Sequence, residues 1–574
     1  MKHLNKAKRF LALFVTAAVL AGCSKADTSS GSSKAQESQK ETGESAQPAE
    51  EAAVVEGQDV NNGRPFNQNP VKYDERDDKY LNGINATQLP ISDEEVVIDV
   101  WCAFSSTVMQ GLEECKVFQE MEKRTNVKIN WIYPPVGSEA DNYTMLIASD
   151  SLPHVFITPP AYPGGETKAV NDEVYLDLTP YYEKGLMPNL QYLCETYEDI
   201  NKDVFNDEGR ILSFPMIDIV PASPWSGLWI RQDWLDELNM EVPETMEQWD
   251  EMLHAMKDLK GGHPLAINFK DWYGVQTNYM FAAAYECAFR QFINKDGKVV
   301  YGSAEPGYRD FMEQMNKWYE EGIMDPDFST RTLEDYNAGI ANGDFGAFGL
   351  AYGELGQQKM TGTALDPAWK AVPVKQPVLS QGQTIHLRQD DSRVRTYRDY
   401  ITVRAEEEGI AELIVQWKDY WYSQDGGDLC SYGVEGDSYQ WKDGEIEWTD
   451  PSLTENEDAD FWTLYPKFKL HNLGYLRDAT SYTFEPEVFE CINLWSEQKA
   501  DWKMPDNISF TEEESNDLAG IMTDVNAYVE EMTYKFITGQ TSLDEFDAYV
   551  EQLKAMNIDR AVEIYQSALD RYEK

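Results

Sequence analysis

Between Ser92 and Pro159 the period of the apolar positions switches repeatedly, and each switch marks an element. Val96-Val97-Ile98-Asp99-Val100-Trp101 is a short β-branched run that predicts a strand. From Gln110 to Thr125 the residues Leu112, Cys115, Phe118 and Met121 fall at helical spacing, and Val127-Lys128-Ile129-Asn130-Trp131 then alternates with period two. A helical stretch, Tyr143 to Ala148, leads into the apolar Val155-Phe156-Ile157. Strand–helix–strand–helix order implies a parallel sheet with helices on both faces. Ligands on such sheets bind beyond the carboxyl ends of the strands. Further along, Thr245 and Gln248 read as a capping box opening a helix whose buried stripe is Met246, Trp249, Leu253 and Met256. Ser542 and Glu545 repeat that signature ahead of Leu543, Phe546, Val550 and Leu553, while Asp296-Gly297 and Asp443-Gly444 predict hairpin turns.

The first residues follow a different logic. Lys2, Lys6, Lys8 and Arg9 precede the apolar run Phe10 to Leu20, which is shorter than the roughly 20 residues a membrane span needs and suits a signal peptide. The run ends in Leu20-Ala21-Gly22-Cys23, a string that resembles the lipobox of bacterial lipoproteins. The resemblance implies cleavage after residue 22, acylation of Cys23 and a chain held at the outer face of a membrane, most simply that of a Gram-positive cell. Ser24 to about Asn62 is rich in Ser, Gln, Glu, Ala and Gly and has no aromatic residue, so residues 23–91 are expected to form a disordered acidic tether. Folding is then expected from about Ser92, since all 16 Trp lie at or after Trp101.

Charge narrows the partners. Removing residues 1–22 deletes four cations and no acid, which takes the formal charge from −52 to −56. Nucleic acid and bare anionic lipid are excluded as partners at that charge. Apart from Cys23, the cysteines (Cys102, Cys115, Cys194, Cys287, Cys430, Cys491) are widely scattered and include no CxxC pair, so no zinc site is expected, and separate buried thiols are expected with a single disulfide as the alternative. No GxSxG, HExxH, P-loop or helix-opening GxGxxG occurs, and the six His show no metal-ligand spacing. Asn294-Lys295-Asp296-Gly297 hints at a calcium loop, but Phe292 and Ser303 occupy the first and twelfth positions, so the EF-hand pattern fails. No catalytic residue, metal or cofactor is therefore assigned.

Several strings, in order, carry a family likeness. Ala148-Ser149-Asp150-Ser151-Leu152-Pro153-His154-Val155 resembles the "ASGDLPDV" stretch of family 1 extracellular solute-binding proteins, with His154 in place of the usual Asp. Glu208 to Pro215 resembles "DGKIYALP", Leu228 to Leu235 resembles "YWIRKDWLDKLGL", and Val242 to Trp249 resembles "VPKTWDEL". Ile340 to Phe348 resembles the family's helix-to-strand "GKVAM" element, and Lys535 to Phe546 resembles the ending of the long sugar-binding lipoproteins similar to LplA. The resemblance implies a type II periplasmic-binding-protein-like α/β fold of two lobes joined by a hinge. Lobe one is expected over 92–226 and 372–430, and lobe two over 227–371 and 431–574 with its C-terminal helices. It also implies a monomeric, non-enzymatic protein that captures an oligosaccharide by hinge closure and delivers it to the permease subunits of an ABC importer. A peptide or uronate ligand, a sensor role, and a lipid-anchored glycoside hydrolase are the alternatives.

Aromatic residues make up 12% of the chain, and sugars present CH-rich faces to aromatic rings. Candidates at strand ends and crossings are Trp101, Phe104, Tyr162, Trp225, Trp229, Trp272 and Tyr352. Arg388, Arg393, Arg395, Arg398 and Arg404 crowd one short segment of a very acidic chain. They are placed to read a carboxylate or sulfate on the ligand, with Arg395 the candidate contact, or to neutralise acids such as Asp390, Asp391 and Asp399, or to meet the permease.

Overall fold

The computed structural model describes residues 81, 83–106, 109–218, 224–269, 280–389, 392–442, 445–449, 476–477 and 486–574. Cys23, the expected signal peptide, most of the expected tether, the expected Asp443-Gly444 turn and Trp272 lie outside them.

Fourteen strands are described: β1 (Val96–Cys102), β2 (Val127–Ile132), β3 (Val155–Ile157), β4 (Phe214–Asp218), β5 (Ser226–Arg231), β6 (Leu265–Ala266), β7 (Phe292–Lys295), β8 (Lys298–Tyr301), β9 (Ala347–Ala351), β10 (Ala371–Val374), β11 (Val394–Ile401), β12 (Tyr439–Lys442), β13 (Glu445–Trp448) and β14 (Leu476–Arg477). Six of them form one sheet in the order β14-β4-β11-β3-β1-β2, and four form a second in the order β10-β5-β9-β6. In the first sheet β1 pairs parallel with both β2 and β3, as the alternation predicts. β11 runs antiparallel between β3 and β4, so the sheet is mixed. Its direction follows from its route: the chain leaves this lobe after β4, builds the second sheet, and re-enters at the end where β4 left, with Val394 beside Ile217, so β11 runs back antiparallel to it.

Period-two alternation divides the first sheet's side chains between two packed layers. Val100, Val155 and Ile157 face the helices Lys116–Thr125, Pro188–Thr196 and Ala411–Tyr420. Trp101 and Phe156, one position out of phase, face Tyr143 and Tyr175. The second sheet sends Leu228, Ile230 and Ala347 into a core shared with the helices Met246–Lys260, Pro306–Glu320, Glu512–Ile537 and Ile558–Tyr572. Its other face carries Trp229 and Phe348, against which Trp495 of the helix Pro486–Ser496 packs.

Local signals explain several boundaries. The Thr245 capping box is formed, with Gln248 N donating to Thr245 Oγ1 at 3.3 Å and Thr245 N to Gln248 Oε1 at 3.0 Å. Asp296 and Gly297 take φ of +55° and +89°, the left-handed pair that a two-residue hairpin turn between β7 and β8 requires. Ser542 departs from expectation. It accepts from Asp544 N at 3.1 Å and opens a 3-10 turn, Leu543–Glu545, before the helix Phe546–Ala555. The tighter turn brings the second residue, not the third, to the Ser542 side chain.

Two expected boundaries shift. Leu81 and Leu89 are buried in the first lobe's core, and Gly83 N donates to Gln424 Oε1 at 3.1 Å, so packing begins before Ser92. Beyond residue 430, Val434 still packs on that core, Lys116 pairs with Asp437 at 2.8 Å, and β14 joins the first sheet. Described residues between 431 and 477 therefore add to lobe one rather than to lobe two. All six cysteines after Cys23 are buried. Among the described residues no helix is long and apolar enough to cross a membrane.

Candidate functional site

At the carboxyl end of β3 the backbone is forced into an unusual turn. Thr158 has φ of +42°, rare for a β-branched residue, and its N–H is shared between Asp399 Oδ1 at 3.0 Å and the Arg398 carbonyl at 3.1 Å. Asp399 is buried and its second oxygen accepts from the buried Lys418 ammonium at 2.8 Å. This ion pair fixes the point from which Pro159, Pro160 and Tyr162 depart along the wall of a cavity of about 370 Å³. Gly164 and Gly165, both at positive φ, then turn the chain into the helix Gly165–Asn171.

Alternation along β11 supplies the opposite wall. Thr396, Arg398 and Tyr400 line the cavity while Asp399 points the other way toward Lys418. Tyr400 stacks on Tyr175 with ring centroids 4.3 Å apart, and its hydroxyl donates to Glu166 Oε1 at 2.6 Å. Tyr162 meets the edge of Tyr175 at 6.2 Å and donates to Asp172 at 2.7 Å. Burial, with Asp172 as acceptor, pushes the Tyr162 hydroxyl up to about 12, so it remains a neutral donor. Arg398 donates to Ser213 Oγ at 3.1 Å and to Asn507 Oδ1 at 2.7 Å.

The far side of this cavity comes from the other lobe. Residues 506–510 and Ser515 complete its lining, and they lead into the helix Glu512–Ile537, whose Val525, Val529 and Phe536 belong to the second lobe's core. Lys168 lies 3.8 Å from Glu512 across this junction. The cavity thus lies between lobes, at strand ends, and within the span of about 300–1,000 Å³ usual for small-ligand sites.

A second group gathers where the chain crosses between lobes. Trp225 N donates to Gln389 Oε1 at 2.5 Å, and the Trp225 carbonyl accepts from Tyr352 N at 2.9 Å. Trp225 and Tyr352, both half-buried, therefore sit side by side at adjoining ends of β5 and β9. The crossing segment is tied to a neighbouring one through Gln376 and Gln498, each donating to the other at 3.1 and 3.0 Å.

The remaining candidates separate into distinct fates. Trp101 is fully buried with its indole N–H on Asn142 at 2.8 Å, and Trp229 is fully buried with its N–H on the Leu350 carbonyl at 3.1 Å. These two are core residues, because the strand phase that buries a Trp also removes it from any surface a ligand reaches. Phe104 is half-buried against Tyr133, ring centroids 5.7 Å apart, beyond the ends of β1 and β2. Arg395 lies 3.8 Å from the buried Asp218. Among the described aromatic candidates Tyr162 alone lines the cavity, and of the arginine-rich segment Arg398 lines it where Arg395 was expected; Tyr175, Tyr400 and Glu166 join them there unforeseen. Asp250, His254 and Glu321 have ligand atoms within 4.8 Å of one another, a spacing overlooked in the sequence, but Asp250 already accepts from Lys317 and Trp318.

Comparison with known proteins agrees with this architecture. The model of a family described as bacterial extracellular solute-binding protein matches residues 110–426. The fructooligosaccharide ABC transporter substrate-binding protein FusA of Streptococcus pneumoniae is 22% identical over 484 residues, 80% of this chain and 87% of that protein. The polygalacturonan/rhamnogalacturonan-binding protein YtcQ of Bacillus subtilis is 20% identical over 479 residues, 79% of this chain and 88% of that protein. Among solved structures, the alginate-binding protein AlgQ2 superposes with a TM-score of 0.70 at 20% identity, covering 84% of this chain and 99% of that one. Its two-lobed fold is the fold of this chain.

Proposed function

The chain belongs to the bacterial extracellular solute-binding proteins, and from that footing we propose that it captures an oligosaccharide between its lobes and presents it to the permease of an ABC importer. The observation that carries this reading is the interlobe cavity at the end of β3, where Tyr162, Tyr175 and Tyr400 offer aromatic surface beside hydroxyl, carboxylate and guanidinium groups. Ring faces take the CH side of a sugar and the polar groups replace its water. The relatives named for fructooligosaccharide and polygalacturonan binding support the ligand class. Ligand touching both lobes favours the closed arrangement, and that difference in affinity is the whole of the work done, with no bond made or broken. Trp225, Tyr352 and Phe104 extend the contact surface toward the hinge and the first strand ends. The resemblance of Leu20 to Cys23 to a lipobox supports acylation of Cys23 and an outward-facing location on the membrane.

A thermal-shift screen of the mature chain against oligosaccharides and peptides tests the reading. A bound ligand at 100 times its Kd stabilises by about 2.7 kcal/mol, which for a chain of this size moves Tm by a few degrees or less. Stabilisation by peptides and by no sugar would keep the binding role and remove the carbohydrate.

A further inference from the structure

We infer that the ligand is electrically neutral: the cavity selects a neutral oligosaccharide over a uronate or sulfated one. This rests on the capture reading above and sharpens it. Among the described residues, the charged groups lining the cavity are the cations Arg210 and Arg398 and the carboxylates Glu166, Asp203 and Asp506. Each cation is already engaged. Arg210 pairs with Asp177 at 2.9 Å and with Glu208 at 3.2 Å. Arg398 lies 3.7 Å from Glu166 and holds Ser213 and Asn507.

The rest of the arginine-rich segment is committed in the same way. Arg393 pairs with Asp199 at 3.0 Å, Arg395 lies 3.8 Å from Asp218, and Arg404 pairs with Asp99 and Glu408, each at 2.7 Å. Arg388 donates to the carbonyls of Gln498 and Gln389. A ligand carboxylate would have to draw Arg398 away from Glu166 and Asn507, leaving Glu166 beside an added negative charge. The separation of two such charges inside a cavity makes that exchange unfavourable.

A neutral sugar meets the opposite situation. Its hydroxyl protons need acceptors, and although Glu166 already accepts from Tyr400, Asp203 from Ser392 and Tyr572, and Asp506 from Ser392 N and Lys503, each carboxylate has about four lone-pair sites and can accept further bonds without giving up these. The formal charge of −52 adds a field that slows the approach of polyanions.

The test is isothermal titration of the mature chain at 0.15 M salt. The probes are trisaccharides of glucose, galactose, mannose and fructose, the three hexopyranose forms also oxidised at C6 to their uronates, with galacturonan and alginate trisaccharides added. The expected result is binding of at least one neutral trisaccharide, with every uronate at least tenfold weaker. Glu166→Gln should narrow that gap by about threefold, because it removes the nearest repelling charge. A uronate that binds as tightly as the best neutral sugar overturns the inference and leaves capture intact. Failure of every sugar, neutral and acidic alike, removes the capture reading itself.

Discussion

Asp428 holds a carboxylate oxygen, Oδ2, that is buried without a hydrogen-bond partner, while Oδ1 accepts from Gln424 Nε2 at 2.9 Å. Burial pushes this acid well above the usual carboxylate range; Gln424 and Arg124 oppose the shift, and Asp425 and Glu435 add to it. A raised folded-state value means the native chain holds this proton after the unfolded chain has released it. Stability from this group is therefore full below the unfolded value near pH 4 and drains as pH rises toward the folded value. Asp428→Asn keeps the acceptor for Gln424 and carries no charge. Its advantage over the parent should grow by up to about 1.4 kcal/mol per pH unit above pH 4, read from urea unfolding at pH 5, 6, 7 and 8. A difference that stays constant with pH would show that Asp428 ionises in the fold at no cost. Thr158 also carries a local penalty, and it too lies where the sequence is silent. A positive φ and a buried Asp399–Lys418 pair are set by tertiary packing, and no local pattern around Thr158 announces them.

Two helices carry the same capping box at different places in the molecule. Thr245 opens Met246–Lys260, well inside lobe two, and Thr511 opens Glu512–Ile537, beside the interlobe cavity. Glu514, the reciprocal partner of Thr511, also accepts from Arg571 at 2.7 Å. Replacing either threonine by alanine should cost about 1 kcal/mol of stability. Only Thr511→Ala should also weaken oligosaccharide binding, because the first turn it anchors supplies Ser515 to the cavity wall. Equal Kd values for the two variants, by titration, would detach that helix end from the site. The Thr245 box was legible because an apolar stripe follows it at helical spacing. Thr511 precedes Glu512-Glu513-Glu514-Ser515-Asn516-Asp517, a polar run that hides its signature. The cavity was less legible than the fold for a related reason. Alternation shows that a strand has two faces but not which one a distant element covers, so Trp101 and Tyr162 looked alike. The partners that decide it lie far along the chain, as with Tyr400 and Glu166, 234 residues apart.

At the scale of the whole molecule, the question is what holds the lobes in their present arrangement. The last helix belongs to the second lobe's core, yet Tyr572 at its end donates to Asp203 Oδ1 at 2.7 Å, and Asp203 lies in the last turn of the lobe-one helix Glu198–Val204. Arg571 reaches Asp207 of the same lobe. These contacts lie at the rim of the cavity and would be lost if the lobes parted there, so they act on the same equilibrium as the ligand. A hydrogen bond to a charged acceptor is worth about 1.5–3 kcal/mol. Tyr572→Phe deletes one such bond while keeping the ring, over which Lys202 lies 4.0 Å from the centroid. If ligand is held mainly by the closed form, removing that bond lowers the closed fraction and raises the apparent Kd by about tenfold, and by up to about a hundredfold if the bond's full worth is lost. The increase should appear in the dissociation rate, since the ligand still enters the open form by the same path. Small-angle scattering of the unliganded variant should show a larger radius of gyration, and saturating ligand should return it to the parent value. Unchanged affinity together with unchanged scattering would show that Tyr572 and Asp203 stay joined through the cycle, and the moving boundary would then have to lie on the cavity side of that pair.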